Sequence, residues 1–190
     1  LEVSDAQNDA ATQANQAANA LSSGAKAVLV NAVDSKAAGP AVAPLLTAKI
    51  PVVAVDRGID GAQVSSFVAS DNVAGGAQAA EALAKALGEQ GQVIMLQGVP
   101  GTSASNDRGK GFGEKIATYP NIKVVAKQTA NFDRAQALDV TTNLLQAFAG
   151  EQPAATPTAA PPAPKFLKML LRTKQPPPVV VAKMRWRSPE

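Results

Sequence analysis

The chain of 190 residues contains no cysteine and no histidine. Without cysteine there are no disulfides, so cysteine usage carries no information about the redox compartment. The two absences together exclude thiolate and imidazole metal sites. They also exclude a cysteine nucleophile and a histidine base. Aromatic residues are few, with five Phe, one Tyr and one Trp. No apolar run approaches the about 20 residues that a membrane span needs. The start at Leu1 has no basic n-region and no small-residue cleavage site. The sequence is therefore read as a fragment, or as a chain whose start was removed.

What is present is Ala, Val and Gly, within a composition that is 46% hydrophobic. That mixture suits Ala-rich helices packed on Val-rich strands. The length fits one ordinary domain or two small lobes. The net charge of +3 is unevenly placed: residues 1–149 hold 11 Lys/Arg and 13 Asp/Glu, while residues 150–190 hold 7 and 2. The basic surplus belongs to the tail, so a nucleic-acid footprint is not expected on the folded part.

Composition changes near Gly150, and nine of the 14 prolines follow it. Residues 151–164 are rich in Pro, Ala and Thr and show neither a helical nor a strand period, which predicts a disordered tail. Before that point strands and helices alternate. Residues 1–4 are β-prone, and 8–21 form an Ala/Gln/Asn-rich helix. A short buried strand is expected at 27–31. A helix follows at 36–48, with a possible break at Pro40 and Pro44. Further strands are expected at 51–55, 64–69, 92–96 and 122–126. Helices are expected at 73–87, 107–117 and 134–148. Short apolar strands separated by helices indicate an α/β fold with parallel sheets.

Ligands of such sheets bind at the carboxyl ends of the strands. Here those ends carry polar groups: Asn31 with Asp34 and Ser35, Asp56–Arg57, Ser70–Asp71–Asn72, the loop Gly98–Gly109, and Asn131–Arg134. One such end is ordinary turn and cap chemistry. Five in succession point to a binding site. The Gly-rich stretch 98–111 fails as a phosphate loop, because position 104 is Ala and Gly109–Lys110 is followed by Gly111.

The segments DAQND (5–9), NAVDS (31–35), PVVAVDR (51–57), ASDNVAGG (69–76), LQGVPGTSASNDRGKGF (96–112) and TANFDR (129–134) occur in a specific order. Together they closely resemble the ribose-type solute-binding proteins of bacterial ABC importers, within the type I periplasmic binding protein family. The resemblance covers residues 1 to about 147. It implies a two-lobe α/β fold, here incomplete, with parallel sheets flanked by helices and a hinge that closes on a sugar. It implies an N-terminal lobe over 1–70 and the start of a C-terminal lobe over 71–149.

The resemblance also implies site residues. Asp56 and Arg57 match an acidic–basic pair that binds sugar hydroxyls. Arg108 matches an arginine after the Gly-Thr-Ser turn, and Phe132 an aromatic packed on the sugar ring. Asn31 and Ser70 match strand-end residues near the cleft. The chemistry suits these roles. A carboxylate accepts two hydrogen bonds, a guanidinium donates a planar pair, and a Phe face covers the C–H face of a ring. On the residues alone, each has a second reading. Asp56–Arg57 also reads as a surface turn pair, Arg108 as a helix-start charge beside Asp107, and Phe132 as a core residue. Asp71–Asn72 read as a helix cap.

The sequence departs from the family pattern in several places. The opening strand and helix are absent, with the Asn and two aromatics that they bring. Ala32 stands where Pro is usual, and Asn106 where Arg is usual. The pattern stops near Ala147. Residues 183–190, back-translated and read in a shifted frame, give Asp-Glu-Met-Ala-Leu, a family motif that follows a Val-rich strand. A reading-frame slip near Lys183 is therefore expected.

The function expected is capture of ribose or a similar monosaccharide for an ABC permease, by a monomeric periplasmic protein. Neither enzymatic activity, a cofactor, a metal nor nucleic acid enters this reading. Two rivals stand beside it. One is the effector-binding core of a LacI-type regulator, which would need a helix-turn-helix that is not present in these residues. The other is a carboxylate hydrolase using Asp56 and Asp71.

Overall fold

The computed structural model describes residues 1–149 and 180–183. The elements are α1 (Ala10–Ser22), β1 (Val28–Val30), α2 (Ser35–Thr47), β2 (Val52–Val55), β3 (Ser66–Val68), α3 (Asn72–Ala86), β4 (Gly91–Gln97), α4 (Ser103–Ile116), β5 (Ile122–Thr129), α5 (Arg134–Ala149) and β6 (Val180–Lys183). Two compact units are formed. The first comprises residues 1–76 and 99–112, the second 77–98 and the described residues from 113 on. The sequence reading assigns all of 71–149 to one lobe, whereas residues 99–112 group with the first unit.

The first unit holds a parallel sheet in the order β1-β2-β3. Its core gathers Ala17, Val30, Val42, Leu45 and Val52, with Leu21, Leu46 and Ile50 packed against them. Two aspartates start the helices around it. Asp9 caps α1 by accepting the Thr12 N–H at 2.6 Å. Asp34 caps α2 by accepting the N–H groups of Lys36 and Ala37. Each satisfies donors that the first helical turn leaves free.

Helix α2 runs unbroken through Pro40 and Pro44, where the sequence allowed an interruption. Both prolines are exposed, four residues apart on the outer face. The carbonyls of Lys36 and Pro40, which a proline nitrogen cannot engage, thus lie on the side open to water. Gly39 faces the other way, where a Cβ would overlap the backbone carbonyl of Asp60.

Two expectations about strands are corrected. Residues 1–4 form no strand, and Leu1 and Val3 are fully open to solvent. A strand needs a ladder partner, and among the described residues none lies beside them. The strand at 27–31 was expected to be buried, but Leu29 is 70% exposed. The reason is topological: β1 is a sheet edge, so only its Val30 side meets the core.

The second unit holds a parallel sheet in the order β5-β4-β6. Val93, Ile94 and Met95 are consecutive and all buried, as expected of a central strand covered on both faces. Ile94, Leu96, Ala130 and Ala137 form its core, with Val140, Leu144 and Leu145 of α5 against it. The expected disordered or frame-slipped tail lies outside the described residues, apart from Val180–Lys183. That segment pairs in parallel with β4 from Val93 to Leu96.

Candidate functional site

Strand β2 ends on Asp56 and Arg57. Asp56 has φ +64°, a left-handed conformation uncommon outside glycine. Its N–H is held by the Val68 carbonyl at 2.8 Å, and the Arg57 N–H turns back to the Val55 carbonyl at 2.7 Å. This tight turn presents the Asp56 carboxylate to solvent and folds the Arg57 side chain inward, 52% and 17% exposed. Arg57 Nη1 donates to the Ala32 carbonyl at 3.1 Å. Its Nε is buried, has no hydrogen-bond partner among the described residues and lies 3.9 Å from Asp56 Oδ2.

The loop after β1 is clamped by a residue that sequence reasoning passed over. Gln13 of α1 donates through Nε2 to the Asn31 carbonyl and accepts the Val33 N–H at Oε1, both at 2.9 Å. The amide thus grips the backbone on either side of Ala32, whose carbonyl holds Arg57. The sequence signal was weak, because Gln13 is one of several amides in an Ala/Gln/Asn-rich helix.

Residues 99–103 dock on the same unit through two serines. The Ser35 N–H donates to the Gly101 carbonyl, and Ser35 Oγ accepts the Ser103 N–H, both at 3.0 Å. Ser103 Oγ accepts the Gly58 N–H at 2.7 Å. Ser35 is almost fully buried. Gly101 has φ +81° and passes so close to Asp34 that a Cβ would overlap its carboxylate. This docking starts α4 at Ser103, four residues before the helix start expected at Asp107.

Arg108 lies on α4, and its Nε donates to Asn72 Oδ1 at 2.8 Å. The sequence paired Asp71 and Asn72 as a cap. Asp71 does cap, accepting the Ala74 N–H at 2.9 Å, whereas Asn72 is buried and bound to Arg108. Ser70 is exposed two residues earlier.

Phe132 belongs to the second unit. It follows Asn131, and both have positive φ, +56° and +50°. Phe132 is 46% exposed, which is too open for a core residue. Its ring lies against Gly98, where a Cβ would overlap the ring edge.

The first unit therefore ties Asp56, Arg57 and the backbone of Asn31 into one network and holds Arg108 beside the start of α3. Among the described residues no hydrogen bond or ion pair joins the Arg57 group to Arg108. No group of three or more Asp and Glu able to hold a metal occurs among them. No described helix is long and apolar enough to cross a membrane. Chemically, the network offers a solvent-facing carboxylate and a held guanidinium, with the Arg108 guanidinium held separately, groups suited to hydroxyl recognition.

Residues 1–162 match the family model of a periplasmic binding protein domain. The chain is 43% identical over 145 residues to the ribose import binding protein of Haemophilus influenzae, covering 76% of this chain and 49% of that protein. It is 44% identical over 142 residues to the ribose import binding protein of Bacillus subtilis, covering 75% and 46%. Its fold is similar to the crystal structure of the Caulobacter myo-inositol binding protein bound to myo-inositol, with a TM-score of 0.76 and 38% identity, covering 80% of this chain and 52% of that one. The chain spans about half the length of the curated relatives it matches.

Proposed function

Because the chain belongs to the periplasmic binding protein family, we propose that it carries part of the site of a protein that captures ribose or a similar monosaccharide. The observation that carries this reading is the end of β2. A carboxylate held out by a left-handed turn stands beside a guanidinium pinned to the Ala32 carbonyl. Fixed donors and acceptors of this kind suit a ligand whose adjacent hydroxyls both donate and accept. They also reject ligands that leave them unpaired. Relatives named for ribose import and for myo-inositol agree with a small polyol ligand.

In this reading Asp56, Arg57 and Arg108 bind hydroxyls, Phe132 covers the ring, and Asn31 and Ser70 border the site. In such a protein two lobes close on the sugar. Binding selects the closed state by differential affinity, with no covalent step. The protein works as a periplasmic monomer and hands its ligand to an ABC permease.

The test is a thermal-shift and calorimetry panel of pentoses and hexoses on a chain completed to the length of the relatives. Ribose should stabilise it, and Arg108→Ala should abolish the effect. A blank across the panel overturns the reading. The 190-residue chain itself should bind weakly or not at all, and sub-micromolar affinity there would contradict that expectation.

A further inference from the structure

We propose that Asn72 is the positioning residue of Arg108, fixing its guanidinium through Nε so that the two terminal nitrogens are left for a ligand. The proposal rests on the reading of Arg108 as a hydroxyl-binding residue.

Arg108 is anchored at two points, and both lie on one face of α3. Asn72 and Gly76 are four residues apart, so they sit one above the other along that helix. At Gly76 the backbones of α3 and α4 come so close that a Cβ would overlap the Arg108 carbonyl oxygen. Gly111 repeats the approach from α4, where a Cβ would overlap the Val73 carbonyl oxygen. These two glycines set the Arg108 backbone against α3. Asn72 then receives the side chain, with Nε to Oδ1 at 2.8 Å.

Asn72 is 7% exposed, one of only four buried polar or charged residues among those described. A buried amide is costly unless its oxygen is paired. Capping does not explain it, because Asp71 supplies the carboxylate to the Ala74 N–H and the carbonyl to the Gly75 N–H. The bond that does explain it is charge-assisted and uses only the Nε edge of the guanidinium. Arg108 is thereby held in one orientation with its Nη1 and Nη2 groups in a plane fixed by the protein. A binding arginine fixed in advance loses less conformational entropy when ligand arrives.

The experiment is nitrogen-15 NMR of arginine Nε–H groups in the 190-residue chain, with the Arg108 signal assigned by its loss in Arg108→Lys. The signal should exchange slowly with water in the native chain and in Asn72→Asp, which keeps the acceptor. It should exchange rapidly in Asn72→Leu, and in Asn72→Ala should the Leu variant fail to fold. Slow exchange in a folded variant without the acceptor overturns the proposal. In a chain completed to the relatives' length, ribose affinity should fall about tenfold in Asn72→Leu and recover in Asn72→Asp. The NMR readout involves no sugar, so a blank panel on the unsubstituted completed chain overturns the functional reading separately.

Discussion

The buried Nε of Arg57 has no hydrogen-bond acceptor among the described residues, yet it lies 3.9 Å from Asp56 Oδ2, on a residue whose backbone is left-handed. The carboxylate position thus depends on an unfavourable φ, and stability and recognition separate at this residue. Asp56→Ala keeps the strain and loses the side chain that tolerates it, so it should lower the unfolding free energy by about 1 kcal/mol. Asp56→Gly relieves the strain and should cost nothing or stabilise slightly. Denaturant unfolding checks both. In a completed chain both variants should lose ribose binding. Retained binding in the stable Gly variant would show that the carboxylate is not a ligand.

Ser35 supports the turn after β4 from within the fold. Its Oγ accepts the Ser103 N–H at 3.0 Å and is shielded from water. Ser35→Ala removes that acceptor and leaves a first-turn donor of α4 unpaired. The expected loss is about 1–3 kcal/mol, read from denaturant midpoints at unchanged slope. Ser103→Ala leaves the Gly58 N–H without its acceptor instead. The two effects should be less than additive, because the serines form one chain of bonds.

Much of this fold was legible because strand and helix periods are local. The β2, β4 and α3 segments were placed within a residue or two of where they lie. Asp56–Arg57 stood out because polar residues end an apolar strand. The rest depended on partners far along the chain. The strand expected at residues 1–4 has no neighbour to pair with. The start of α4 is set by Ser35, 68 residues away, and the role of Asn72 by Arg108, 36 residues away. No local pattern marks such pairs. Gln13 was passed over for the same reason, since its partners Asn31 and Val33 lie in the loop after β1.

Lowering the pH should loosen α1 from its capped end. Hydrogen bonds from the Thr12 hydroxyl and then the Thr12 N–H hold the Asp9 carboxyl below its ordinary value. A carboxyl lowered in the folded state stabilises the fold above its unfolded pKa, about 3.9, and loses that contribution as pH falls through the folded value. Glu81 is lowered in the same sense by its hydrogen bond and charge pairing with Lys85. Protection of the first-turn amides of α1, measured against their intrinsic exchange at each pH, should therefore fall below about pH 4. Asp9→Asn should remove most of that pH dependence while keeping a capping oxygen. Unchanged acid sensitivity in Asp9→Asn would assign the loosening to another group.

Phe132 can be moved without unfolding its unit. The nearest atoms a Cβ at Gly98 would meet are those of the far edge of the Phe132 ring, and the ring is half exposed. Gly98→Ala should therefore swing the ring outward at a cost well under the about 3–5 kcal/mol of deleting a core Phe. A fluorine label on Phe132 should report the move as a changed chemical shift with little change in melting temperature. In a completed chain the same substitution should weaken ribose binding if the ring covers the sugar. An unmoved fluorine signal would show that Gly98 does not set the ring position.

Gly75 and Gly76 are neighbours in α3, and substitution should act on them in opposite directions. A Cβ on Gly75 meets nothing within 4 Å, whereas one on Gly76 would overlap the Arg108 carbonyl oxygen. At Gly75 the only change is in backbone entropy, and alanine should raise the unfolding free energy by about 0.5–1 kcal/mol. At Gly76 the obstacle is backbone, which cannot rotate aside as a side chain can. The two helices must separate, and the loss should be about 1–3 kcal/mol or more. Gly76→Ala should also speed Arg108 Nε–H exchange, because moving the α4 backbone carries the guanidinium away from Asn72. Gly75→Ala should leave that exchange unchanged. Equal stability effects at the two positions would mean that α3 and α4 do not approach closely at Gly76, and the anchoring of Arg108 would lose its backbone half.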